Sequence, residues 1–272
     1  MTWIEAVILG VIQGLTEFLP ISSSAHILVL SQIFGWSDPG AAFTAVTQIG
    51  TEMAVIVYFR RDLARIISTW IRSLYTPGLR SDIDARMGWY VILGTIPIAV
   101  LGLVFASQIE TLVRNLWVTA AMLAIFGVIL GIADRFGQKT REISSLRARD
   151  AALLGLAQAA ALVPGVSRSG ATISMGLFLG LTREAATRYA FLLAIPAVLA
   201  SGLYEATKIG GQANPEWGPT ILATVIAFAI GYAVIAWLLK YIATNSYMPF
   251  VVYRLALAAI IVALLLAGWI SA

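Results

Sequence analysis

Cysteine is absent from the 272 residues, histidine occurs once, and charged residues make up only 12% of the chain. The first absence excludes disulfides, zinc–thiolate sites and cysteine nucleophiles. The second excludes multi-histidine metal sites and any two-histidine phosphatase mechanism, because His26 stands alone. The third excludes an ordinary soluble domain, in which about a quarter of the residues are charged. The opening MTWIEAVILG lacks a basic start, so no cleavable signal peptide is expected.

What remains is apolar: 60% of the residues are hydrophobic and the mean hydropathy is +0.88. The net charge of +4 comes from basic residues lying between apolar stretches, which reads as membrane topology rather than as a nucleic-acid patch. A single all-α integral membrane domain over 1–272 is expected. Six stretches approach the roughly 20 apolar residues needed to cross a bilayer: 43–59, 88–107, 116–133, 186–204, 219–239 and 249–269. Two further stretches are broken. Residues 3–19 run into Pro20 and a triple serine before a short 26–36 piece, and 151–163 is cut by PGVSRSG before 171–181. Short half-helices joined by polar backbone predict re-entrant hairpins, whose irregular turns must be buried in protein or line a cavity.

The loop 60–87 holds six arginines, and 134–150 holds Arg135, Lys139, Arg141, Arg147 and Arg149, whereas 108–115 and 205–218 hold one basic residue each. Both basic loops are therefore placed in the cytoplasm, the second as a solvated, orienting charge run. The first hairpin then enters from outside and the second from the cytoplasm. Sliding LGVIQGLTEFLPISSSA (9–25) onto LGLAQAAALVPGVSRSG (154–170) at an offset of 145 superimposes Leu9, Gly10, Gln13, Ser22 and Ser24 on Leu154, Gly155, Gln158, Ser167 and Ser169. This predicts an inverted-topology repeat, 1–135 and 150–272, joined by a cytoplasmic linker at 136–149. Broken helices meeting near the midplane are a known way to build a site for a polar ligand.

The two breaks carry the chemistry. SSSAHILVL and SRSGATISM each start a half-helix after serine, a preferred N-cap, and each start offers unpaired N–H groups and a positive dipole end. Arg168 adds a planar fork suited to phosphate, with no acid nearby in sequence, so its counter-ion is expected to be the substrate. Gly165 and Gly170 serve as turn residues or let backbone amides approach an anion. Gln13 and Glu17, spaced i and i+4, share a helical face; Glu17 is suited to a hard cation or to general-base work. His26 sits on the first turn after the serines, where a neutral imidazole beside a hydroxyl can activate a nucleophile. Ser22, Ser23 and Ser24 are not ranked by these arguments. Gln48 and Glu52 share a face of the first full span, and Glu52 is a further candidate as an intramembrane acid. Arg188 and Arg254, near cytoplasmic span ends, are expected to snorkel.

QGLTEFLPISSSAH and PGVSRSGAT resemble the two signatures of the undecaprenyl-pyrophosphate phosphatases of the bacitracin-resistance type. The resemblance extends through FTAVTQIGTEMAVIVYFRRDL, YAFLLAIPAV and MPFVVYRLAL. It implies six spans plus two re-entrant hairpins, a multi-pass bacterial cell-membrane location, and hydrolysis of a polyprenyl pyrophosphate to recycle the carrier lipid for cell-wall synthesis. It assigns a nucleophilic serine to Ser23, a base to His26, and phosphate binding to Arg168 with Ser167, Ser169 and Thr172. It also implies a divalent cation, Mg²⁺ or Ca²⁺, with Glu17 as its ligand. The first signature position, Glu or Gln in this family, is Gln13 here, so a metal scheme needing two carboxylates within the motif lacks one. The expected partners are the lipid substrate and the bilayer, with a homodimer as the one protein assembly considered and no nucleic acid. The residues alone also admit a secondary transporter or lipid-phosphate flippase.

Overall fold

The computed structural model describes residues 1–36, 40–105, 115–210 and 217–271. These residues form eleven α-helices: α1 (Trp3–Thr16), α2 (Ser23–Ile33), α3 (Gly40–Tyr58), α4 (Arg60–Tyr75), α5 (Ile83–Val104), α6 (Leu116–Phe136), α7 (Ala148–Ala159), α8 (Arg168–Phe178), α9 (Arg183–Gly210), α10 (Trp217–Ile242) and α11 (Met248–Leu266). Short 3-10 turns lie at Pro77–Leu79, Ile143–Ser145 and Ala160–Leu162. Five helices, α5, α6, α9, α10 and α11, are long and apolar enough to cross a membrane. The sixth expected span corresponds to α3, which is followed at once by α4 with a bend of 80°.

The loop expected at 60–87 is thus largely helical, and this corrects the reading made from its arginines. Leu63, Ile66, Ile67, Trp70, Ile71 and Leu74 recur at the helical period, with Arg60 and Arg61 before them and Arg65 and Arg72 between them. Such an amphipathic helix suits the membrane surface, and Thr76–Pro77 ends it. The 134–150 segment is likewise more than solvated charge. The amides of Thr140 and Arg141 donate to Gly180 O, and the Arg141 guanidinium donates to Leu179 O at 2.9 Å and Asp150 Oδ2 at 2.6 Å. Asp134 accepts from Arg183 Nε at 2.6 Å. The exposed Arg147 and Arg149 keep the expected character.

Small residues set the helix crossings. Water cannot drive association inside lipid, so close backbone contact does much of it. α1 packs on α10, where a Cβ on Gly10 would lie 2.7 Å from Ala223 O; α7 packs on α5, where one on Gly155 would lie 2.3 Å from Gly94 O. α3 is packed between α9 and α10, and α11 lies along α6. Gly155→Ala is expected to force α7 off α5 at a cost of about 1–3 kcal/mol, read as a lower melting temperature of the detergent-solubilised protein.

Candidate active site

Each short half-helix begins at a residue that the backbone holds in an unusual shape. Ser22 has φ 72° and Ser167 has φ 69°; Lys139 is the one other non-glycine residue with positive φ among the described residues. Such conformations cost about 1–3 kcal/mol and gather at functional sites. α2 and α8 each run for 11 residues, starting at Ser23 and Arg168. Within each start the flanking serines pair: Ser22 Oγ to Ser24 Oγ and Ser167 Oγ to Ser169 Oγ, both at 3.2 Å. Ser167 Oγ also caps its helix by accepting from Gly170 N. The two breaks touch directly, because Ser169 Oγ donates to Leu19 O at 3.1 Å.

Where they touch, Glu17 is the hub. Oε2 accepts from Ser23 Oγ at 2.6 Å, Gln13 Nε2 at 2.7 Å and Gln48 Nε2 at 3.5 Å. Oε1 accepts from Arg168 Nη2 at 2.5 Å. The expectation that substrate alone neutralises Arg168 is therefore corrected. The acid missing from its own segment comes from the other hairpin, 151 residues away in sequence. The guanidinium still borders a cavity of about 10 Å³, lined also by Glu17, Glu52, Ser169, Phe18 and Phe191, which has room for one water-sized guest. Within that wall both carboxylate oxygens of the fully buried Glu52 lack a hydrogen-bond partner among the described residues. Outside it, Oε1 of Gln13, whose Nε2 donates to Glu17, lacks one as well.

His26 lies beside this hub but does not join it. Its Nδ1 donates to Ser22 O at 2.7 Å, since a carbonyl only accepts, and its Nε2 meets Tyr253 Oη at 2.7 Å. The two rings stack with centroids 5.6 Å apart. Ser23 thus faces Glu17 rather than His26, and Tyr253 is a neighbour that sequence reasoning missed. Thr172 Oγ1 donates back to Arg168 O at 2.9 Å, so this hydroxyl braces the first turn of α8. Gly165, at φ 88°, leaves no room for a side chain: a Cβ would lie 2.3 Å from Thr119 O.

Arg254 does not snorkel. It is completely buried, and its guanidinium donates only to backbone: Leu123 O at 3.1 Å, Pro20 O at 3.0 Å, Gly165 O at 2.8 Å, Val166 O at 3.0 Å and Met122 O at 3.4 Å. It ties both breaks to α6. No local signal in the sequence points to this, because the carbonyls it meets lie far away along the chain.

The family described as bacitracin resistance protein BacA matches residues 6–260. Similar full-length relatives include undecaprenyl-diphosphatase 2 of Streptomyces coelicolor, 57% identical over 100% of this chain and 97% of the relative. The undecaprenyl-diphosphatase of Thermobifida fusca is 58% identical over 98% and 92%. That of Micrococcus luteus is 58% identical over the whole of both chains.

Arg254→Ala strands five buried carbonyl acceptors. It is expected to cost about 3–5 kcal/mol, measured as a fall in melting temperature; an unchanged melt would remove the guanidinium as the tie between the breaks.

Proposed function

The chain belongs to the bacitracin resistance protein BacA family, and from that premise we infer an undecaprenyl-diphosphatase, a multi-pass membrane hydrolase of bacteria. It converts a polyprenyl pyrophosphate into the monophosphate and phosphate, returning the carrier lipid to cell-wall synthesis.

The observation that carries the mechanism is one carboxylate holding both a serine hydroxyl at 2.6 Å and a guanidinium at 2.5 Å. A nucleophile, its proton acceptor and a phosphate clamp are thereby within reach of one another. The entering diphosphate takes the fork of Arg168 from Glu17, which frees the carboxylate to accept a proton. Ser23 Oγ attacks the terminal phosphorus, and its proton passes to Glu17 Oε2. As the new O–P bond forms, the bridging P–O bond breaks, and its electron pair leaves on the polyprenyl phosphate. Water then attacks the phosphoserine, returning the hydroxyl to Ser23 and releasing phosphate. Arg168 and the amides at the start of α8 face the charge on the non-bridging oxygens. Ser167, Ser169 and Gly170 shape that start, and Ser22 and Ser24 the opposite one. His26, fixed by Ser22 O and Tyr253, positions the first turn of α2 rather than taking the serine proton.

Among the described residues no group of three or more acidic or histidine side chains forms a closed metal cage. The donors that are present, Glu17 and the unpartnered Oε1 of Gln13, are hard oxygens that would hold Mg²⁺ or Ca²⁺. A cation bound there would neutralise charge on the diphosphate.

The same reading takes the molecule as an inverted-topology repeat of 1–135 and 150–272. It is supported by α2 and α8 starting at an offset of 145 with the same strained serine and the same serine pair. A carrier reading is less favoured, because a carrier needs no hydroxyl aimed at a carboxylate.

Phosphate release from farnesyl or undecaprenyl pyrophosphate in detergent tests the function. Glu17→Gln, Ser23→Ala and Arg168→Ala are each expected to lose about a hundredfold or more in turnover while eluting as folded protein. Undiminished release in Ser23→Ala would replace the seryl step by direct attack of water. No release by the unaltered protein, with lipid-phosphate movement across vesicles, would favour the carrier.

A further inference from the structure

Glu52 is the acid that this mechanism leaves without a role. It lies in the middle of α3, is fully buried, and neither of its carboxylate oxygens finds a hydrogen-bond partner among the described residues. Its Oε2 lies 3.9 Å from Nη2 of Arg168, an ion pair too long to be a hydrogen bond, and that nitrogen already donates to Glu17. Gln48, one turn earlier on α3, reaches Glu17 at 3.5 Å, so this face of the helix is turned to the site. Glu52, Glu17, Arg168 and Ser169 wall the same small cavity.

The charges around that cavity do not suit a diphosphate by themselves. Two acidic side chains, Glu17 and Glu52, flank one guanidinium, and the fully buried guanidinium of Arg254 is engaged by carbonyls. A diphosphate brings more negative charge than the single guanidinium of Arg168 balances. A buried carboxylate without hydrogen bonds is also costly unless something positive accompanies it. One divalent cation relieves both difficulties, and carboxylate and amide oxygens are the donors that Mg²⁺ and Ca²⁺ take. Mg²⁺ in particular is commonly held by one or two carboxylates plus substrate phosphates rather than by a complete protein cage.

The sequence supplies the reason for the position. The i, i+4 motif on α1 carries Gln13 and Glu17, so that helix brings one carboxylate where two are possible. We propose that Glu52 supplies from α3 the carboxylate that Gln13 does not, so that Glu17 and Glu52, with Oε1 of Gln13, hold a divalent cation that the diphosphate headgroup also ligates. This rests on the diphosphatase reading and adds a residue to it. Glu52 is a ligand here and takes no proton from the nucleophile.

The test uses Mn²⁺ as the probe, titrated into the full-length protein in detergent with methylene diphosphonate present, the free ion being counted by its EPR signal. The unaltered protein is expected to bind the ion. Glu52→Gln, which keeps size and shape, should weaken that binding by about tenfold or more. The double variant Gln13→Glu/Glu52→Gln moves the carboxylate back to α1 and should recover binding to within a few-fold of the unaltered protein, which a merely structural role for Glu52 would not produce. Equal Mn²⁺ binding in the unaltered protein and Glu52→Gln would overturn the proposal, as would a double variant that binds no better than the single one. No binding by the unaltered protein overturns it as well. If that protein still hydrolyses the lipid diphosphate under chelator, the diphosphatase reading stands and only the cation assignment falls.

Discussion

A polypeptide that stops being helical inside a bilayer must find partners for the carbonyls it exposes, because lipid offers none. Here Arg254 meets that requirement at both breaks at once. Its Nη1 donates to Pro20 O and its Nη2 to Gly165 O, and these two carbonyls stand 145 residues apart, the same offset that relates the strained serines. A guanidinium is suited to this because it has five donors in a rigid plane and needs no acid to be satisfied. A lysine at this position would have three donors for five acceptors. The remaining donors fix the pair to Leu123 and Met122 on α6, so the hairpins share one anchor.

With the turns fixed, the first residues of α2 and α8 meet at one carboxylate. Ser23 and Arg168 both bond Glu17, one at each oxygen. An arginine–carboxylate pair in a low-dielectric site is strong, and breaking it without replacement is costly. The diphosphate is such a replacement, because it offers the fork more charge and more acceptor oxygens than one carboxylate does. In the proposed mechanism, substrate binding and release of the base are then the same event. Without the lipid, the guanidinium occupies the base, which disfavours proton transfer from Ser23.

Much of this was legible in the residues, and the misses have physical causes. The span positions and the two breaks followed from length and from Pro20, Pro164 and the serines, because hydropathy and helix breakers act locally. Gln13, Glu17, Gln48, Ser23 and Arg168 were legible as candidates, and the fold gathers all five. Their pairing was not legible. Arg168 has no acid in its own segment because Glu17 lies on the other hairpin, and proximity of that kind is created by tertiary structure. His26 follows the serines in sequence, yet its ring nitrogens meet Ser22 O and Tyr253 Oη from α11. Arg254 was misread because an arginine near a span end usually reaches the interface, and nothing local says that two broken turns stand beside it. α4 is the opposite case: its apolar period is present at Leu63, Ile66, Ile67, Trp70, Ile71 and Leu74, and the arginines around it lower its hydropathy below that of a span.

The two breaks share a backbone but not a chemistry, and the positions that differ show how one scaffold serves both parts of a reaction. At the offset of 145, Ser23 corresponds to Arg168, Glu17 to Leu162 and His26 to Ala171. In the proposed mechanism one break therefore presents a nucleophile with its carboxylate, and the other presents the cation that receives the phosphate. The buried glutamines correspond too. Gln13 donates to Glu17, whereas Gln158, with leucine at the equivalent place, leaves both amide atoms without a partner among the described residues. An unpartnered buried amide is costly, and packing gives no reason to keep one. In the proposed inverted repeat Gln158 is the counterpart of Gln13 in the half where leucine replaces the carboxylate that Gln13 serves.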